Sequence, residues 1–165
     1  MKRIHIVGRK NSGKTTLIVE LVEHLTQMGY RVGTVKHTHH RHELDTPGKD
    51  SYRHRQAGAV AVGILSPEMN AVFWPAASDE TTSNRYDELA PVLDQCDIVL
   101  VEGHSQTEGP KIEVWRAVAS DEPIAVSDPL IQAVVSDDAT EVKVPVWSRT
   151  DVPAIAARVC ELARN

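Results

Sequence analysis

Ile4, Ile6 and Val7 form a short apolar run that stops at Gly8, the length and abrupt end expected of a buried β-strand. Leu17, Ile18, Leu21, Val22, Leu25 and Met28 then recur at helical spacing, with Gly29 placed to end the helix. Residues 31–36 read as the next strand, so the chain opens with a βαβ unit of a parallel sheet. The period breaks from His37 to Asp50, where polar residues interleave with histidines and Thr46-Pro47-Gly48 signals a turn. Asp50 is positioned to cap a short helix over 51–57, with Gly58 as its stop.

Two strand candidates follow, over 59–65 and, after Ser66-Pro67, over 71–74; residues 76–85 are polar and read as a loop. Tyr86, Leu89 and Leu93 suggest a helix that Pro91 interrupts. Residues 98–101 are the most apolar strand of the second half, set between Asp97 and Glu102, and 111–115, 123–126 and 132–135 are further short strands. Val152, Ile155, Ala156, Val159, Leu162 and Ala163 make a closing amphipathic helix, capped by Asp151 with Pro153 in its first turn. Alternating strands and helices without a repeat or linker predict one α/β domain over 1–165, with a mostly parallel sheet flanked by helices.

Composition narrows the picture. A 165-residue chain with 41% hydrophobic and 25% charged residues suits a single core. Only 4% is aromatic, so Val, Ile, Leu and Ala must build that core. A net charge of −5 without a long basic run argues against a nucleic-acid surface. Cys96 and Cys160 belong to no CxxC pair, which fits a reducing compartment. The N-terminal apolar run is too short for a signal peptide, and no stretch approaches the ~20 residues that span a bilayer. The expectation is a cytoplasmic protein with no membrane partner.

The first chemistry lies at Gly8-Arg9-Lys10-Asn11-Ser12-Gly13-Lys14-Thr15, which fits G-x-x-x-x-G-K-[ST] between a strand and a helix. Gly8 and Gly13 let the backbone curl until several N–H groups face a phosphate chain, and the helix N-terminus adds its positive end. Asn11, Ser12 and Thr16 complete the nucleotide-binding stretch. Lys14 reaches the β- and γ-phosphates and counts as catalytic, while the Thr15 hydroxyl is a Mg²⁺ ligand. The fold class expected is therefore the P-loop NTPase type. A second acidic group is needed for the metal, and Glu102, ending a buried strand before Gly103, supplies it in a catalytic and metal-binding role. Asp97, at the opposite end of that strand, reads as structural.

Five of the eight histidines fall between His37 and His54, among Lys36, Arg41, Lys49, Arg53 and Arg55. Three readings stand: a switch-like loop whose Asp45 and Asp50 meet Mg²⁺ through water, a transition-metal site, or a solvated polar loop. No thiol lies near to favour the second.

These pieces, in this order, resemble the MobB family of molybdopterin-guanine dinucleotide biosynthesis adapter proteins. The resemblance rests on residues 8–16, Val35-Lys36-His37 with His40, Asp45-Thr46-Pro47-Gly48-Lys49-Asp50-Ser51 and Ala57-Gly58-Ala59. It continues through 97–103 and Pro110-Lys111-Ile112-Glu113-Val114 with Arg116. It implies a homodimeric protein that binds GTP with Mg²⁺ and hydrolyses it weakly, so at most a slow GTPase. It implies as partner the guanylyltransferase that transfers GMP to molybdopterin, with molybdopterin itself a second candidate ligand. The Asn-Lys-x-Asp signature that reads guanine is absent, and Asp137 in Ser136-Asp137-Asp138 is the substitute, since a carboxylate accepts both N1–H and N2–H of guanine. Two other classes share the loop: a nickel-type metallochaperone GTPase, whose Cys-containing motif is missing, and a small-molecule kinase, whose base is not identifiable.

Overall fold

Strands buried on both faces become parallel central strands, because each face must be covered by connecting chain. The computed structural model, which describes residues 2–38, 40, 42–76 and 85–164, contains one sheet of six parallel strands, four of them central. They are β1 (Arg3–Val7), β2 (Val32–Lys36), β5 (Ile98–Glu102), β6 (Lys111–Val114), β7 (Ile131–Val135) and β8 (Val146–Trp147), in the order β2-β5-β1-β6-β7-β8. Every neighbouring pair is parallel. The sheet belongs to a first compact unit, Met1–Thr38 with Leu89–Asn165; the second is His39–Glu88.

In the first unit, α1 (Lys14–Gln27) and α4 (Val152–Leu162) cover one sheet face. Leu17, Leu21 and Leu25 of α1 and Ile155, Ala156 and Val159 of α4 pack on Ile4, Ile6, Leu100, Ile112, Ala133 and Val135. Asp151 caps α4 by accepting from the Ala154 amide at 3.1 Å, with Pro153 in the first turn, as the sequence predicts. Arg31 donates to Asp97 from its backbone amide and guanidinium, which ties the amino ends of β2 and β5 together and makes Asp97 structural.

The other face is covered without a long helix. Short α3 (Ala90–Leu93) approaches Gly33 of β2, where an added Cβ would meet Leu93 and Cys96 at 3.0 Å. Over β1 and β6 the cover is loop, and strand alternation points His5, Lys111 and Glu113 toward it. All three are buried. Lys111, 2% exposed, pairs with Asp128 and donates to the Ser105 carbonyl at 2.9 Å, so one ammonium pins two loops. Glu113 accepts from the Ile124 and Ala125 amides at 2.8 and 2.9 Å. That contact corrects the strand expected over 123–126: Pro123 leads into a 3₁₀ turn, Ile124–Val126, whose free N–H groups Glu113 satisfies.

Other boundaries move by a few residues. The helix expected from Tyr86 to Leu93 is a 3₁₀ turn, Asp87–Leu89, followed by α3, with Pro91 in the first turn where its missing N–H costs nothing. β8, two residues long, is too short to show a period in sequence.

In the second unit, β3 (Val62–Leu65) and β4 (Asn70–Phe73) pair as an antiparallel hairpin. Helix α2 (Asp50–Gln56) begins at Asp50 itself, with Lys49 as N-cap, so Asp50 contributes charge to the first turn rather than a cap bond. Arg55 is the hub. It pairs with Glu43 and Asp45 and lies 5.7 and 5.6 Å from the ring centres of Tyr52 and Phe73. Most of the loop expected over 76–85 lies outside the described residues.

Lys111→Met keeps the aliphatic stem but strands Asp128 and the Ser105 carbonyl. Because Asp128 is partly hydrated, we expect a loss of about 2–3 kcal/mol rather than the full cost of a broken buried pair. Urea unfolding measures it, and an unchanged midpoint at constant slope would contradict the assignment.

Candidate functional site

Parallel pairing sets Ile6 against Glu102 across β1 and β5, so the loop leaving β1 and the carboxylate ending β5 emerge at the same sheet edge. Gly8 turns the chain with φ +143°, and a Cβ there would lie 2.3 Å from the Val114 carbonyl oxygen and 2.8 Å from Ser12 Oγ. No other residue fits this spot. Asn11 and Gly13 have φ +64° and +97°, and α1 starts at Lys14 with its first amides directed into the loop. Ser12 is buried beneath the loop; Thr15 and Thr16 are exposed.

Lys14 Nζ folds over the loop and donates to the Gly8 and Arg9 carbonyls at 3.0 and 2.7 Å. Partial burial lowers its pKa, opposed by Glu102 and reinforced by Lys36. Thr15 Oγ1 donates to Glu102 Oε1 at 3.0 Å, and Lys36 Nζ stands 3.5 Å from the same oxygen. A hydroxyl and a carboxylate meeting at a helix N-terminus form a hard-oxygen donor set, which suits Mg²⁺ rather than a soft metal. The curled amides and Lys14 suit a polyanion.

The remaining sequence candidates are Asp137, Asp45 and Asp50. Asp137 sits past the carboxyl end of β7, where it accepts from Ser148 Oγ at 2.7 Å and the Arg149 amide at 2.8 Å; these bonds lower its pKa. It holds the turn before α4, and Arg149 reaches on to Glu20 of α1 at 2.7 Å. Asp45, in the second unit, accepts from its neighbour Thr46's amide, Ser51 Oγ and Arg55 Nε. Asp50 is exposed on α2. Thr15 and Glu102 are thus brought together within the first unit, while Asp45 and Asp50 belong to the second. Among the described residues no cluster of three or more His, Cys, Asp or Glu side chains could hold a metal; His39 and Arg41 lie outside that set.

Three histidines gather behind Glu102. His37 and His104 stack with ring centres 4.3 Å apart, and His5 meets His104 edge-on at 5.6 Å. Lys111 and Glu113 underlie the same region. Their sequence signal was the alternation of charge and aliphatic residues in Lys111-Ile112-Glu113-Val114, which marks a strand with one ionic face.

The sheet order, the loop and the Glu102 strand define a P-loop NTPase-type α/β protein. The family described as molybdopterin guanine dinucleotide synthesis protein B, MobB, matches residues 3–137. The chain is similar to the molybdopterin-guanine dinucleotide biosynthesis adapter protein of Escherichia coli K12, at 36% identity over 91% of this chain and 86% of that one. It is similar to the protein of the same name from Haemophilus influenzae, at 33% identity over 92% and 83%. The crystal structure of a molybdopterin-guanine biosynthesis protein B superposes with a TM-score of 0.73 at 28% identity, covering 99% of both chains. This chain belongs to the MobB family. No helix among its described residues is long and apolar enough to cross a membrane.

Burial, with His104 and Arg3 alongside, lowers the His5 pKa from 6.5 to about 4. Unfolded chain takes up a proton near pH 6.5 and folded chain only near 4, so acid favours unfolding within that window, by ~3 kcal/mol in all. Above pH 6.5 the effect vanishes. His5→Gln should therefore gain on the parent by that amount between pH 7 and 4 in urea titrations, whereas a constant difference would refute the burial argument.

Proposed function

We propose that this chain is a cytoplasmic, GTP-binding adapter in molybdenum-cofactor maturation, assisting a separate guanylyltransferase that converts molybdopterin to its guanine dinucleotide. The observation that carries the reading is the 3.0 Å contact of Thr15 Oγ1 with Glu102 Oε1 beside a curled Lys14 loop, in a chain of the MobB family. Gly8, Asn11, Ser12, Gly13, Lys14, Thr15 and Thr16 hold the triphosphate, and Thr15 and Glu102 hold Mg²⁺. When bound, the metal neutralises phosphate charge. The base lies beyond the carboxyl ends of β7 and β8, where Asp137 takes part in guanine selection through the turn it supports.

Lys14→Ala removes a charge-assisted contact worth ~1.5–3 kcal/mol, so GTP affinity should fall by about one to two decades. Glu102→Gln should weaken Mg²⁺ dependence while sparing metal-free binding. Calorimetry with and without Mg²⁺ checks both; GTP binding as tight in Lys14→Ala as in the parent would refute the site. Among the described residues no Gln or Arg stands out as a water-positioning group, so hydrolysis should run on the order of 10⁻⁴–10⁻² s⁻¹.

The protein acts as a homodimer in this reading, because the β3–β4 hairpin leaves Leu65, Met69 and Val72 exposed on a two-stranded sheet that is marginal alone. Light scattering at micromolar concentration should give twice 18.2 kDa, and Leu65→Lys should shift the mass toward the single chain; a monomeric parent overturns the dimer.

A further inference from the structure

Val35-Lys36-His37 brings β2 to its carboxyl end with a lysine whose one partner is already shared. Parallel register sets Lys36 beside Glu102 and Thr34 beside Leu100 across β2 and β5. Leu100 belongs to the core under α1, so strand alternation sends Thr34, Lys36 and Glu102 to the α1 face as well. Lys36 Nζ stands 3.5 Å from Glu102 Oε1, the oxygen that also accepts from Thr15 Oγ1 at 3.0 Å. Among the described residues Glu102 is the ion-pair partner of Lys36; Glu23, further along α1 on the same cavity wall, makes no ion pair with it. The Lys36 side chain is 69% exposed, so water screens the contact and an anion can compete for the ammonium.

Two ammoniums therefore flank one carboxylate. Lys14 lies over the loop that leaves β1, on one side of β5, and Lys36 ends β2 on the other. They feel each other: burial lowers the Lys14 pKa most, and Lys36 lowers it further against the pull of Glu102. Strand order then orients a nucleotide. From β1, strands β6, β7 and β8 run to one side, with Asp137 and the Ser148 turn at their ends, while β5 and β2 run to the other. A base placed over β7 and β8 directs the terminal phosphate toward β5 and β2. The loop amides and Lys14 meet phosphates that a diphosphate also carries, whereas Lys36 stands one strand further out.

We infer that Lys36 is the residue by which this site distinguishes a nucleoside triphosphate from a diphosphate, exchanging its weak contact with Glu102 for the γ-phosphate; the assignment rests on the nucleotide reading. A bound divalent cation neutralises the Glu102 carboxylate and leaves the ammonium without its partner. A terminal phosphate, with more than one negative charge and three acceptor oxygens, then holds it better than a shared carboxylate oxygen does. The position has a further consequence. From Lys36 the chain passes through His37 and Thr38 into the second unit, and the His37 amide donates to the Glu102 carbonyl at 2.9 Å. The presence of a third phosphate is thus read at the point where the first unit hands over to the second.

The test titrates the intact chain, in Mg²⁺, with GDP and with guanosine 5′-(β,γ-imido)triphosphate, which keeps hydrolysis out of the calorimetric signal. The parent should prefer the triphosphate. Lys36→Gln should weaken the triphosphate analogue about tenfold, the lower end for a charge-assisted contact because the site is open to water. GDP affinity should stay at the parent value, which also shows that the variant is folded. Lys36→Met, which keeps the aliphatic stem, should lose the same preference, and Lys36→Arg should recover most of it. An equal loss for both nucleotides would reduce Lys36 to a general attractive field and overturn the proposal. So would an unchanged triphosphate affinity in Lys36→Gln, or a parent that binds both nucleotides alike, each leaving the nucleotide site itself standing. A parent that binds neither would overturn the nucleotide reading and this assignment with it.

Discussion

The register of β1 against β5 is the constraint on which the rest of the molecule depends. With Ile6 opposite Glu102, the chain leaves β1 at the height where β5 delivers its carboxylate, and Gly8 permits the turn there. A slip of β1 by one residue would reverse its faces. His5 would then face α1, Ile6 would face the loops, and the glycine-rich loop would leave the strand one residue out of step with Glu102. The register is held from both ends: the Val99 amide donates to the Lys2 carbonyl below and the Gly103 amide to the Ile6 carbonyl above, each at 2.9 Å. Site geometry and core packing are therefore one requirement. The aliphatic residues that bury α1 are also what place a hydroxyl 3.0 Å from a carboxylate.

The two faces of the sheet solve the covering problem differently. One uses the long helices α1 and α4 and is mostly aliphatic, with Trp147 at its edge strand. The other has loops over β1 and β6, and loops bring backbone polar groups that need partners when buried. Lys111 and Glu113 meet that need, the first for Ser105 and Asp128, the second for two amides of the 3₁₀ turn. Burial raises the Glu113 pKa, while the two amides and Arg9 act to keep it charged. Charged residues inside a small domain are expensive unless fully partnered. Here they replace backbone hydrogen bonds that a helix would have made internally.

This division also explains what was legible beforehand. The glycine-rich loop, Glu102, the parallel sheet and both long helices follow from local spacing, because their residue types are dictated by backbone geometry and by periods of 2 and 3.6. The hidden parts depend on contacts far apart in sequence. Residues 123–126 look like a strand until Glu113 supplies an acceptor for Ile124 and Ala125. Asp137, expected beside guanine, also accepts from Ser148 and Arg149, bonds between positions 11 and 12 apart that no local pattern shows. β8 has two residues, too few to carry any period, and is defined by pairing with β7 alone.

The histidine-rich stretch illustrates a further limit, since a run of charges says nothing about which charges neutralise each other. From Glu43 onward the second unit is organised by Arg55, which satisfies two carboxylates while its guanidinium plane lies near Tyr52 and Phe73. Asp45 is buried in that network and also accepts from the Thr46 amide and Ser51 Oγ, which shapes the Pro47-Gly48 turn. A carboxylate so engaged must exchange partners before it can serve a metal through water. Asp50, exposed on the first turn of α2, faces no such cost. Of the two aspartates in the loop, Asp50 is thus the one free to respond to a change in charge, and Asp45 is the one that holds the loop in shape.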